Sequence, residues 1–431
     1  MNILIVTNTF TPHVGGVARS VTAFTEEYRR RGHKVMIIAP EFEDQPEQED
    51  NVFRVQAWQN FNASDFSVAL PIHPNLSKAV DAFQPDVVHS QHPFLLGHTA
   101  VRLARRRNLP LVFTHHTLYE QYTHYVPGDS PALKRYAIEL CTRYANLADQ
   151  VFAPSESVRD IIQSRGVKTP VEVVPTGLRL EEFEHSDGAA WRQSEGIPDD
   201  AFVVGHLGRL APEKNLEFLT EAMVKFVRQN DRAQVMIIGV GPSEAGIREA
   251  FAEAGLSDRL HMLGVLTPPD LSNALHAMDV FAFASTSETQ GMVVTEAMAA
   301  GLPVVALDAS GVREVVVDRH NGRLLPEADV SAFSDALAWV ADRDATDRDA
   351  MKKAVQETAE AYSMQRSADL ALRCFENVKP KTESQSSVNE SLWEDITRAI
   401  KIEWELLRNI AGSGEAIVRG LKKKTSMKDD A

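Results

Sequence analysis

Two glutamates, Glu288 and Glu296, stand eight residues apart in "SETQGMVVTEAMAAGLPVVA" (285–304), a segment otherwise almost wholly apolar. "VFAFAS" (280–285) before it reads as a strand, and "MVVTEAMAAG" as a helix closed by Gly301, with Pro303 opening the next strand. Glu288 then falls in the polar loop at the strand's carboxyl end, and Glu296 one or two turns into the helix. Carboxylates so placed can accept hydrogen bonds from two parts of one ligand, and the vicinal diols of a sugar or ribose suit them. The free N–H groups around Gly291, Met292 and Val293 suit a phosphate. Each acid also has a purely structural explanation: Glu288 as an acid near a helix macrodipole, Glu296 as a buried acid paired with an arginine.

Two further groups point to an anion. In "VVGHLGRLAPEKNLEFL" (203–219) a strand ends at Gly208, Arg209 follows, and Lys214 comes five residues later. Cations converging at a strand's carboxyl end can hold a diphosphate through charge-assisted hydrogen bonds. Surface pairing with Glu213 and Glu217 would explain the charges but not the Gly-Arg placement. In "TFTPHVGGVARSV" (9–21), Gly15 and Gly16 let backbone N–H groups approach a phosphate at a helix start. A tight strand-to-helix turn would use the same pair without a ligand.

The elements that must position these residues repeat twice. Apolar, β-branched runs at 2–7, 34–39, 86–90, 110–114 and 150–154, and again at 202–208, 234–239, 259–264, 280–285 and 303–307, alternate with helical patterns. Continuous apolar strands separated by helices mark parallel sheets buried on both faces, and two series imply two doubly wound α/β domains. The polar stretch "EHSDGAAWRQSEGIPDD" (184–200) reads as the linker between them, and "KPKTESQSSVNES" (379–391) as a second spacer. Beyond it, Trp393, Ile396, Ile400, Trp404, Leu407 and Ala411 share one helix face, with Lys422, Lys423 and Lys424 following. Two tryptophans and a basic cluster suit a membrane-surface anchor; packing on the protein itself or coiled-coil pairing explains the stripe equally.

The chain has 431 residues, 44% apolar and 24% charged, with a formal net charge of −15. That length suits two domains and a tail, and the acidic balance argues against general nucleic-acid binding. Against it stand local basic patches. Arg102, Arg105 and Arg106, three and four apart on a predicted helix, form one basic face suited to anionic lipid. Cys141 and Cys374 form no CxxC pair, so neither a disulfide framework nor a zinc site is expected. The opening "MNILIV" has no basic leader or cleavage site and no window of eighteen uncharged apolar residues occurs. The expected setting is cytoplasmic, without a membrane span.

In order along residues 1–378, "TPHVGGV", "THHT", "VVPTGL", "GRLAPEKN", "GVGP" and "SETQGMVVTEAMAAGLPVVA" resemble the retaining glycosyltransferases of the two-domain GT-B fold, family 4. The resemblance implies an acceptor-binding domain over 1–183, a nucleotide-sugar-binding domain over 200–361, and a helix over 362–378 returning to the first. Residues 392–431 then form an amphipathic helix and basic tail outside this core. It further implies that Gly16 approaches the donor diphosphate, Arg209 and Lys214 bind it, Glu288 binds sugar hydroxyls and Glu296 the ribose. His116 matches the family's histidine near the transferred sugar, with His115 ranked after it. The family has no catalytic metal, and no cofactor beyond the donor is expected; zinc at His89, His92 and His98 is the alternative set aside. "ETQG", in place of the commoner Glu-Gly-Phe-Gly, and "HTLYEQYTHYVP" (116–127) resemble bacterial diacylglycerol glycosyltransferases.

The expectation is transfer of a hexose, glucose first, from a UDP-sugar to diacylglycerol at the inner face of the cell membrane. Competing acceptors are a polyprenyl-linked, lipopolysaccharide or soluble sugar. Readings of another class are a GT-B nucleotide-sugar epimerase and a non-catalytic sugar-nucleotide binder.

Overall fold

A computed structural model describes residues 1–13, 15–58, 68–69, 75–121, 130–184 and 186–381. In the N-terminal half, β1 (Asn2–Val6), β2 (Lys34–Pro40) and β3 (Val52–Val55) are followed by the short pair β4 (Ala57–Trp58) and β5 (Val68–Ala69). β6 (Val87–Ser90), β7 (Leu111–Thr114), β8 (Gln150–Ala153) and β9 (Val171–Val173) complete it. All but the β4–β5 pair build a seven-stranded sheet in the order β3-β2-β1-β6-β7-β8-β9, every neighbour parallel. Its helices are α1 (Gly16–Arg30), α2 (Leu76–Phe83), α3 (Leu96–Arg107), α4 (Pro131–Leu147) and α5 (Glu156–Ser164). Both sheet faces are covered. On β1, Leu4 and Val6 enter one core and Ile3 and Ile5 the other, as the period of two requires.

The C-terminal half starts with α6 (Gly188–Ser194) and builds a six-stranded parallel sheet. Its strands are β10 (Phe202–Leu207), β11 (Ala233–Ile238), β12 (Leu260–Gly264), β13 (Val280–Phe283), β14 (Val304–Leu307) and β15 (Gly322–Leu325). They lie in the order β12-β11-β10-β13-β14-β15. The covering helices are α7 (Leu216–Gln229), α8 (Glu244–Glu253), α9 (Asp270–His276), α10 (Met292–Ala299), α11 (Val330–Ala341) and α12 (Ala345–Ala361). Strand order reverses beside β1 in the first sheet and beside β10 in the second. Ligand crevices of doubly wound sheets open at such points, beyond the strands' carboxyl ends.

The expected linker over 184–200 is corrected. α6 lies inside it, capped by Asp187, whose carboxylate accepts from the Ala190 N–H at 2.8 Å. Trp191 packs on the C-terminal core, and Arg192 donates to the Ala277 and Ala201 carbonyls and to Asp279. The chain crosses between domains earlier, around residues 176–178, between Val174 in the N-terminal core and Leu180 and Phe183 in the C-terminal one. It crosses back before α13 (Met364–Asn377), whose Met364, Ala368, Ala371, Leu372 and Phe375 are buried in the N-terminal core beside α1. The two crossings run side by side: the Leu178 N–H donates to the Tyr362 carbonyl at 2.9 Å, and the Met364 N–H to Leu178 at 2.7 Å.

Candidate functional site

The loops after β10 and β13, neighbours at the reversal of the second sheet, bring together residues far apart in sequence. Lys214, in the turn before α7, donates from Nζ to Glu288 Oε1 at 2.6 Å, and both side chains are under a fifth exposed. The Ser287 hydroxyl reaches the Glu213 carbonyl at 3.4 Å, tying the same two loops. "GVGP" supports this from beneath: a Cβ at Gly239 would lie 1.9 Å from the Gly208 carbonyl oxygen, so only glycine lets the loop after β11 lie against the one carrying Arg209. Arg209 is half exposed and pairs with Glu213 four residues on. The Glu213 side chain of that pair is only 8% exposed, so the guanidinium head reaches solvent while its partner carboxylate is shielded.

Lys214 and Glu288 differ. Separating a shielded pair and leaving one charge unpartnered costs about 3–5 kcal/mol. A ligand that enters between them must therefore offer an anion to the ammonium and hydroxyls to the carboxylate together. A sugar carried on a phosphate has both.

Glu296 is fully buried in α10, whose start at Gly291 (φ 71°) needs the left-handed backbone that glycine adopts freely. Its Oε1 accepts from Arg19 of α1, in the other domain; its Oε2 has no hydrogen-bond partner among the described residues. Burial pushes the carboxyl's pKa up, and the Arg19 guanidinium opposes that. Both residues line a cavity of about 410 Å³ between the domains, together with Thr11, Pro12, His13, Met292 and Thr267. An extra Cβ on Gly16, at the start of α1, would meet nothing within 4 Å, and Gly15 has extended backbone (φ −167°). Tight packing of the turn does not account for Gly16.

His116, half-buried after β7, shares a hydrogen bond from Nε2 to Gln91 Oε1 at 2.7 Å. An amide oxygen can only accept, so Nε2 carries the proton. Burial depresses its imidazole to about 3, and that of His115 to about 4. His89, His92 and His98 are buried and pushed down to about 3, 3 and 4. His89 bonds Thr114, and His92 Nδ1 accepts from the Asn8 N–H. Among the described residues no group of three or more His, Cys, Asp or Glu is placed to hold a metal.

The basic face on α3 is divided. Arg105 donates to the Leu147 carbonyl at 2.6 Å and lies 3.5 Å from Asp149, so it is committed to holding the domain together. Arg106 is exposed and Arg102 partly so. Arg105 and Arg106 sit in the last turn of α3, a few residues before β7, and so towards the amino ends of the strands rather than the carboxyl ends where the crevice opens. Trp393, Trp404 and the tail lysines lie outside the described residues. Arg19, Gln91 and Gln290 were not singled out in the sequence. Each lies inside or beside a quoted segment, but its partner comes from another part of the chain.

Comparison with known proteins decides the family. The model described as Glycosyltransferase Family 4 matches residues 14–182, and that of Glycosyl transferases group 1 matches residues 187–358. An alpha-monoglucosyldiacylglycerol synthase of Streptococcus pneumoniae is 30% identical, the match covering 75% of each chain. The chain belongs to the retaining GT-B glycosyltransferases of family 4. Other relatives have other names: a GDP-mannose-dependent alpha-mannosyltransferase of Mycobacterium tuberculosis (31% identical, 76% of this chain and 84% of that protein) and a D-inositol 3-phosphate glycosyltransferase of Kribbella flavida (32%, covering 67% and 70%). Among solved structures, Anabaena HepE in complex with UDP has the same fold, with a TM-score of 0.69 at 21% identity, covering 88% of this chain and all of that one. This glycosyltransferase thus has two parallel-sheet domains facing a cleft. Among the described residues no helix is long and apolar enough to cross a membrane.

Proposed function

We propose that this glycosyltransferase moves a hexose, glucose first, from UDP-glucose to the free hydroxyl of diacylglycerol, with retention at the anomeric carbon. The observation that carries the donor side is the shielded Lys214–Glu288 pair, which a diphosphate-linked sugar satisfies at both ends. In this reading Lys214 and Arg209, with the N–H groups of Gly291, Met292 and Val293, stabilise charge growing on the leaving diphosphate. That kind of electrostatic stabilisation is commonly the largest contribution to catalysis. Glu288 holds sugar hydroxyls, and Glu296 offers its unpartnered Oε2 to the ribose in the cavity it shares with Arg19. Gly16 lets the first loop approach the diphosphate. His116, neutral and held by Gln91, stands beside the transferred sugar as a hydrogen-bonding group.

On the front face, the bond from C1 to the UDP oxygen breaks as the bond from C1 to the acceptor oxygen forms, and the acceptor's proton passes to the leaving phosphate. Neither glutamate acts as a nucleophile, and the route calls on no cofactor. The acceptor assignment rests on the glycolipid-synthase relatives and on "ETQG". Arg102 and Arg106, with the tail from 392, would bring the enzyme to an anionic membrane surface from the cytoplasmic side.

The test is incubation with labelled UDP-glucose and diacylglycerol, with and without anionic lipid, beside GDP-mannose because of the mannosyltransferase relative. A labelled glycolipid from UDP-glucose supports the proposal. Transfer from GDP-mannose alone, or only to a soluble sugar, removes the donor or the acceptor assignment.

A further inference from the structure

One side chain ties the loop that carries Glu288 to the opposite domain. Gln290 Oε1 accepts from the Thr176 N–H at 2.7 Å, and its Nε2 donates to the Thr176 carbonyl at 2.7 Å, so the amide pairs with both polar groups of the residue. Both residues are buried. The Thr176 hydroxyl in turn donates to Ser20 Oγ at 2.9 Å, on α1 directly after Arg19. Gln290 stands two residues after Glu288 and directly before Gly291, where α10 begins. Thr176 lies where the chain crosses between domains, two residues before Leu178 bonds the returning crossover.

We propose that Gln290 is a positioning residue. It sets Glu288 and the first turn of α10 in register with the crossover and α1, so the donor-facing groups are aligned only while the domains are docked. This rests on the donor-site reading given above. An apolar side chain of the same length would leave a buried N–H and a buried carbonyl unpaired. An ionised carboxylate would keep the bond from the N–H but turn a second lone pair on the carbonyl. A protonated carboxyl restores both bonds, which ties the effect to pH in a way that simple loss of packing does not.

The experiment compares wild-type protein, Gln290→Met and Gln290→Glu by UDP titration calorimetry and by hydrogen exchange over 174–178 and 285–292. The expected result for Gln290→Met is faster exchange in both segments and UDP affinity lowered about tenfold. Gln290→Glu should bind UDP weakly near about pH 8 and approach wild type, measured at each pH, towards about pH 5.5 as its carboxyl, raised by burial, takes up a proton. Faster exchange with wild-type UDP affinity in Gln290→Met, or no pH-dependent recovery in Gln290→Glu, would overturn the inference alone. Wild-type protein that binds no UDP would remove the donor-site reading and the inference with it.

Discussion

At the scale of single residues, the charged groups of the proposed donor site are paired with one another. Lys214 and Glu288 are bonded at 2.6 Å with little exposure, so removing either leaves its partner stranded. Lys214→Ala and Glu288→Gln should each lower kcat/KM by about a hundredfold, and the double variant by much less than the product of the two, because the first change already breaks the unit. Steady-state kinetics of the four proteins measures this; strict additivity would mean that they act apart. The histidines make a second prediction. His89, His92 and His116 are depressed to about 3, and His98, His115 and His206 to about 4, all by burial. These groups stay neutral in the fold while the unfolded chain binds protons below about pH 6.5, so their stabilising contribution is full above that pH and falls as pH drops. Each can cost up to about 1.4 kcal/mol per pH unit until its folded pKa is reached. Melting temperature should therefore fall steadily from about pH 7 to about pH 5, and a flat profile would contradict the buried, neutral assignment. The residue types at 209, 214, 288 and 296 were legible in the sequence. Their partners were not, because Arg19 reaches Glu296 and Gln91 reaches His116 across distances in sequence that local patterns do not span.

Among the elements, ten strands were legible from apolar, β-branched runs; nine of them lie between two neighbouring strands, and β12, half-buried along its length, lies at an edge. The strands that escaped, β3, β9 and β15, are short and lie at sheet edges, and β4 and β5 form a separate pair. "VEV" and "GRLL" put polar residues where an edge tolerates them, so alternation and hydrophobicity both fade. α6 was hidden for a related reason: seven residues with one large apolar side chain show no helical period. It is nevertheless part of the C-terminal domain, and Arg192 bonds two carbonyls and a carboxylate there. Arg192→Ala should cost about 1–3 kcal/mol, seen as a lower melting temperature with UDP affinity intact. A true linker would lose nothing measurable.

Across the whole molecule, the cleft is bridged by named contacts rather than by general proximity. Arg19 of α1 holds Glu296 of α10, Glu26 of α1 pairs with Arg179 at the crossing, and the Glu314 carboxylate accepts from the Glu156 and Ser157 N–H groups at 2.6 and 2.7 Å, capping α5 from the other domain. Without Arg19, burial acts on the Glu296 carboxyl unopposed and its pKa rises further, so Arg19→Ala should bind UDP less tightly, with a larger deficit near about pH 6 than near about pH 8. A deficit independent of pH would contradict that role. The two-domain plan was legible because the pattern of strands and helices occurs twice. The docking of the domains was not, since it rests on single long-range polar contacts. Deleting 382–431 should weaken binding to anionic vesicles in a flotation assay, and unchanged flotation would remove the anchor. The claim at the centre is that Glu296 receives the ribose of a nucleotide donor in the cavity between the domains. Titration calorimetry of UDP against wild-type protein and Glu296→Gln tests it most directly. UDP binding to wild type, weakened about tenfold or more in the variant, is the result predicted; equal affinity in the two proteins would contradict it.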